Sequence, residues 1–214
     1  MSAVTHTAVP AHAGTGTSLS LGTDAQACAR IGPNAVIQMG EALRAYAGRE
    51  FERDVFVRAG LQRYLDELPA AMIPQDEAIA IFRTLYQDAG VSLHDANAIA
   101  RDAGLRTGDY ILANRIPKLA QTVLKRLPKT LAARALLGAI GKHSWTFAGS
   151  GRFSARYGRP LVIEIAGNPL AFDYCAWHCA VFERLFGALV SRHAHAACFR
   201  QKPSGSDCRF EISV

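Results

Sequence analysis

At 214 residues, half of them hydrophobic and a fifth charged, the chain has a globular balance and can bury a core without covalent staples. No apolar run approaches the ~20 residues that span a bilayer; the longest, Leu131 to Ile140, is interrupted by Arg134. The formal charge of +6 is uneven: Arg101 to Arg159 holds twelve Lys or Arg and two acids, Asp102 and Asp109, so the remainder is net acidic. A stripe of this kind attracts nucleic acid, an anionic membrane surface or an acidic small molecule, or is simply a solvated face.

Residues 1–23 carry no Lys or Arg and no apolar stretch, and read as a disordered tail rather than a secretory leader. The expected location is cytoplasmic or peripheral to a membrane. Residues 24–214 are expected to form one α+β domain. Pro33 opens a first helix, with Val36, Ile37, Met39, Leu43 and Tyr46 as its stripe and Gly48 as its stop. A second helix covers residues 50–68, broken near Gly60. Pro74 opens a third, ending at Gly90. Ser92, with Asp95 three residues on, caps a fourth that ends near Gly104. Residues 107–114 form a short helix, and Pro117 and Pro128 open two more across the basic region.

After Gly141 the pattern changes. Residues 143–148, 152–157 and 161–166 read as a three-strand meander, with turns at Gly149-Ser150-Gly151 and Gly158-Arg159-Pro160. Residues 171–190 have helical spacing, and strands 193–201 and 207–213 flank a turn at Pro203. The predicted fold is α+β: a helical N-terminal half packed on a C-terminal antiparallel sheet. The lack of alternating βαβ units removes the usual home of a dinucleotide site.

Five cysteines in a chain without an export signal argue for reduced thiols or metal ligation. Cys28 stands apart and reads as a bystander. Cys175 and Cys179 are four apart, one helical turn on one face. Cys198 and Cys208 lie symmetrically about Pro203, so a regular hairpin sets them directly opposite, with Cβ atoms ~4.5–5.5 Å apart. Three or four converging thiolates suit zinc, with His178, His193 or His195 able to replace one. There is no paired CxxC, and small buried cysteines are the competing reading. No GxGxxG, CxxCxxC, nucleophile elbow or HExxH motif is present. The basic stretch lacks interleaved aromatics or a nucleic-acid motif, so nucleic acid is not an expected partner.

Cys179, Gly187, Cys198, Gly205 and the run Cys208-Arg209-Phe210-Glu211-Ile212, with the Asn168-Pro169 turn before the helix, resemble the 4-vinyl reductase domain family. The likeness is specific over 145–214 and looser over the helices before it. It implies a fold related to the ligand-binding modules of trafficking and nitric-oxide-sensing proteins, which hold an apolar ligand between helices and sheet and often pair into dimers. It ranks Cys179, Cys198 and Cys208 above Cys175. Many members carry an acid shortly before the strand cysteine, where this chain has His193-Ala194-His195-Ala196-Ala197. The family's name implies vinyl reduction on a chlorophyll precursor, but the redox cofactor such a reaction needs has no motif here. The resulting expectation is an accessory protein of bacteriochlorophyll biosynthesis that binds a magnesium-porphyrin or chlorophyllide intermediate and passes it between enzymes. Arg115, Lys118, Lys125 and Arg126 would meet its propionates, Trp145 would stack on the macrocycle, and His178 is a candidate ligand to magnesium. The alternatives are a divinyl protochlorophyllide reductase with an external electron donor, and a regulatory scaffold that contacts magnesium chelatase or the magnesium-porphyrin methyltransferase through the basic face.

Overall fold

The computed structural model describes residues 29–200 and 205–214. The expected tail, Cys28 and the turn around Pro203 lie outside the described residues.

A short strand, β1 (Arg30–Ile31), leads into α1 (Asn34–Arg58). Non-helical backbone at Ala47 and Gly48 divides α1 into two helices, as the expected stop at Gly48 requires. Gly48 takes φ 87°, a value that only glycine adopts without cost. A single turn, α2 (Arg63–Asp66), precedes β2 (Ile73–Pro74), which pairs antiparallel with β1. Helix α3 (Gln75–Arg83) widens into a π turn over Thr84–Asp88. Helix α4 (Leu93–Asn114) starts at Ser92, whose hydroxyl accepts from the Asp95 amide at 3.1 Å. It does not stop near Gly104 but runs on through Gly108. Both glycines lie against a later helix, and their lack of a side chain serves contact rather than termination.

Helices α5 (Lys118–Arg126) and α6 (Lys129–Lys142) follow Pro117 and Pro128 as expected. The first strand of the expected meander is instead a short helix, α7 (Trp145–Ala148). Its turns close locally, with the Ala148 amide donating to the Ser144 carbonyl, while the Thr146 carbonyl accepts from Gly32. Six residues rich in aromatics do not by themselves separate a buried turn from a strand.

The remaining elements are β3 (Arg152–Arg156), β4 (Leu161–Ala166), α8 (Ala176–Leu189), β5 (His195–Arg200) and β6 (Cys208–Ser213). The sheet order is β3-β4-β6-β5, antiparallel throughout. The last strand therefore inserts between β4 and β5. Ile163, Ile165, Cys208, Phe210 and Ile212 are buried, and the strand register puts them on one face. Helix α8 covers that face: Phe182 meets Phe210 with ring centroids 5.2 Å apart. Its other side lies on α4, so α8 is buried almost all round, which explains its apolar composition. The expected class, a helical N-terminal half on a C-terminal antiparallel sheet, is the observed one.

Candidate functional site

Three of the four described thiols converge. The sulfurs of Cys175, Cys198 and Cys208 all lie within 4.8 Å of one another, and Cys175 and Cys208 are buried. Cys179 is not among them; its Sγ faces the Tyr174 carbonyl at 3.8 Å. The expected ranking of Cys179 above Cys175 is thus reversed. Cys175 is not a helical residue. It sits just before α8 with φ 50° and ψ 43°, so its side chain is not stacked one turn below Cys179. Asp173, two residues earlier, also holds a positive φ of 40°. Left-handed backbone costs a non-glycine residue roughly 1–2 kcal/mol. Two such residues in one short turn mark a segment held in place by its surroundings.

The hairpin register also departs from expectation. Cys198 stands opposite Phe210, and Cys208 opposite Arg200, so the two cysteines are diagonal neighbours on one face rather than a direct pair. A diagonal separation of ~7–8 Å between backbones still lets side chains meet. On the other side of Cys208, the buried Asn168 donates from Nδ2 to its sulfur at 3.2 Å. The Asn168 Oδ1 accepts from the Leu170 amide, and its own amide donates to the Ser206 carbonyl. The Asn168-Pro169 turn was visible in the sequence; that it delivers a donor to sulfur was not.

Hydrogen bonding with the Cys198 and Cys208 thiols, then burial, pushes the Cys175 thiol well above its usual range. For Cys208 the contact with Cys175 acts downward, but the contact with Cys198 and burial outweigh it, and the net shift is upward. Without a metal, Cys175 and Cys208 therefore hold their protons more tightly than free thiols do. Zinc at ~2.3 Å from tetrahedral sulfurs sets those sulfurs about 3.8 Å apart, so the cluster fits after small side-chain movements. The Asn168 amide is the kind of outer donor that supports a bound thiolate.

His178 lies on α8 within an aromatic cage, its ring centroid 4.7 Å from Trp177, 5.6 Å from Phe210 and 6.2 Å from both Phe147 and Phe182. It is 1% exposed. Its Nε2 lies 3.4 Å from the Phe147 carbonyl, which can only accept, so Nε2 carries the proton and Nδ1 presents a bare lone pair. That Nδ1 has no hydrogen-bond partner, and neither does the buried Trp177 Nε1. Burial pushes His178 down to about pKa 4. It is a neutral imidazole with a free lone pair, the form that ligates metals. His193 and His195 are exposed, and His195 Nδ1 is 3.0 Å from Glu183.

The remaining expected residues lie elsewhere. Lys118, Lys125 and Arg126 project from α5, Arg115 lies over the Tyr110 ring at 5.7 Å, and Trp145 is exposed on α7. They occupy the surface whereas His178 occupies the core, so the two groups do not line one cavity. An open cleft of about 620 Å³ lies between α3 and the 167–169 turn, lined by Ile79, Arg83, Gln87, Ser150, Asn168 and Phe172. Phe172 stacks on Tyr86 with centroids 5.5 Å apart and planes 10° from parallel. Nothing in the local pattern singled out Arg83, because a lone arginine at a helix end is unremarkable until the turn from residue 167 closes over it.

No family model matches the chain. It is 44% identical over 193 residues to the bacteriochlorophyll synthase 23 kDa chain of Cereibacter sphaeroides, covering 86% of this chain and 90% of the relative. It is 46% identical over 167 residues to the protein of the same name from Rhodobacter capsulatus, covering 75% and 76%. Among solved structures it is similar to the Fe(II) unliganded H-NOX protein from K. algicida, with TM-score 0.61, 12% identity, and 86% and 96% of the two chains covered. A chain solved in work on haem redox potential modulated by porphyrin distortion gives TM-score 0.50 at 11% identity, covering 85% and 98%. At these identities the structural likeness is one of fold.

Proposed function

The chain belongs to the family of the bacteriochlorophyll synthase 23 kDa chains, and from that premise we propose that it binds a magnesium-porphyrin or chlorophyllide intermediate and hands it to the next enzyme. Family membership carries a role in bacteriochlorophyll biosynthesis, and it is the observation on which the reading rests. Two features support ligand binding. The fold is shared with H-NOX proteins, one neighbour being a subject of haem work. The cleft beside Asn168 has the volume of a small-molecule site, a flat aromatic wall at Phe172 and a guanidinium, Arg83, to meet a propionate. In the same reading, Cys175, Cys198 and Cys208 hold zinc, which ties the turn before α8 to two sheet strands beside that cleft. The buried, neutral His178 lies three residues after Cys175, but neither of its ring nitrogens joins the three sulfurs that lie within 4.8 Å of one another, so the three cysteines are the protein ligands in this reading.

Titration of the protein with magnesium protoporphyrin, followed at the Soret band, tests the reading. A saturable shift at micromolar protein is expected. Arg83→Ala should weaken it about tenfold, the scale of one charge-assisted hydrogen bond partly exposed to water. No spectral change would count against ligand binding. Formation of a monovinyl product by the pure protein with divinyl substrate and a reductant would replace transfer with reduction.

A further inference from the structure

The α5–α6 hairpin combines three properties that the tetrapyrrole reading does not use. First, its charge is of one sign. From residue 110 to 163 the chain has ten Lys or Arg and no Asp or Glu. Among the described residues none of Lys118, Lys125, Arg126 and Lys129 has an ion-pair partner.

Second, apolar side chains stand among those cations in the open. Leu119 is 76% exposed, and Val123, one turn on, is 50% exposed. Leu127 and Leu131 continue the exposed series onto α6. Isolated exposed leucines are ordinary. A pair of such apolar side chains one turn apart on α5, with two more exposed at and beyond the extended Leu127–Pro128 link and with lysine and arginine around them, is the pattern of an amphipathic segment lying in a membrane interface. Trp145, exposed just beyond α6, is of the residue type that settles at the headgroup level.

Third, α5 has little to hold it on its own protein. Gln121 is its one buried residue, and it works by donating from Nε2 to the Leu112 and Ile116 carbonyls. A nine-residue helix is marginal in water without a packed face. Its core-facing Leu124 is only half-buried, while Leu119 and Val123 face solvent.

We propose that the α5–α6 hairpin is a membrane-surface dock, which lays its basic, leucine-bearing face on an anionic bilayer with Leu119 and Val123 inserted at the headgroup boundary. Charge complementarity selects the anionic lipid, and the exposed leucines select a bilayer over an acidic protein, which would need no apolar wedge. A carrier of apolar intermediates gains from this dock because its cargo partitions into the same interface. The dock does not depend on the cargo, however.

Co-sedimentation of the full chain with vesicles tests it without any tetrapyrrole. Binding is expected to vesicles of phosphatidylcholine mixed with phosphatidylglycerol, and not to phosphatidylcholine alone. It should weaken steadily with added salt. Replacing Lys118, Lys125 and Arg126 together by Gln should weaken it roughly a hundredfold, from about fivefold per cation at an anionic surface. Leu119→Glu with Val123→Glu should remove sedimentation, while circular dichroism confirms the fold at these exposed positions. Failure to bind the mixed vesicles overturns the proposal. So does binding that survives the Leu119→Glu and Val123→Glu changes and is displaced by polyglutamate, which would identify an acidic protein as the partner instead.

Discussion

His178 stays neutral because an imidazolium at its position would sit among Trp177, Phe147, Phe182 and Phe210 with no water to solvate it. Its folded pKa, about 4, lies below the ordinary value of 6.5, so between those values the unfolded chain binds the extra proton. Its contribution is therefore complete above about pH 6.5 and is lost as the pH falls, reaching about 3 kcal/mol near pH 4. Denaturant midpoints of chelator-treated protein should drop across that window, and His178→Gln should flatten the drop. An unchanged slope in the variant would mean that other groups carry the acid sensitivity. At the same scale, Cys175 shows what one dihedral pair does. Its left-handed backbone takes the sulfur off the helical face that four-residue spacing defines and turns it toward two strands.

At the scale of elements, the crossing of α4 and α8 depends on missing side chains. A Cβ on Gly104 would lie 2.3 Å from the Trp177 carbonyl oxygen and 2.7 Å from the Ala180 Cβ. Backbone cannot yield as a flexible side chain can, so Gly104→Ala should cost about 1–3 kcal/mol and lower the melting temperature by roughly 5 °C. A Cβ on Gly187, on α8, would meet nothing within 4 Å. There, alanine should stabilise by up to about 1 kcal/mol through helix propensity. Melting curves of the two variants should shift in opposite directions; equal shifts would rule out a close crossing. The same packing explains why α4 passes through two glycines that read locally as a stop.

Over the whole molecule, the thiol cluster joins the turn before α8 to β5 and β6, elements far apart in the chain. A metal that binds only the folded arrangement stabilises all of it by mass action. Zinc in large excess over its dissociation constant should raise the melting temperature by roughly 10 °C. Cys208→Ser should abolish that rise, and Cys179→Ser should preserve it. Protein purified without a tag, with no zinc and no response to added zinc, would leave the cysteines as packing. The cleft beside Asn168 is likewise a product of the whole fold, since α3 and the 167–169 turn approach each other only once the sheet is assembled.

The helix starts at Pro33, Ser92, Pro117 and Pro128 were legible in the sequence because capping and proline geometry are local. So were the α+β order, the basic stretch and the concentration of thiols near the C-terminus. The cross-strand pairing of Cys198 was not. A strand's alternation fixes which face a side chain takes, but a shift of two residues preserves that face, so the pattern could not tell a direct pair from the diagonal one observed. The exchange of Cys179 for Cys175, the continuation of α4 through Gly104 and the insertion of β6 between β4 and β5 were decided by the tertiary structure alone. Each depends on contacts between residues distant in the chain, and local spacing carries no record of those contacts.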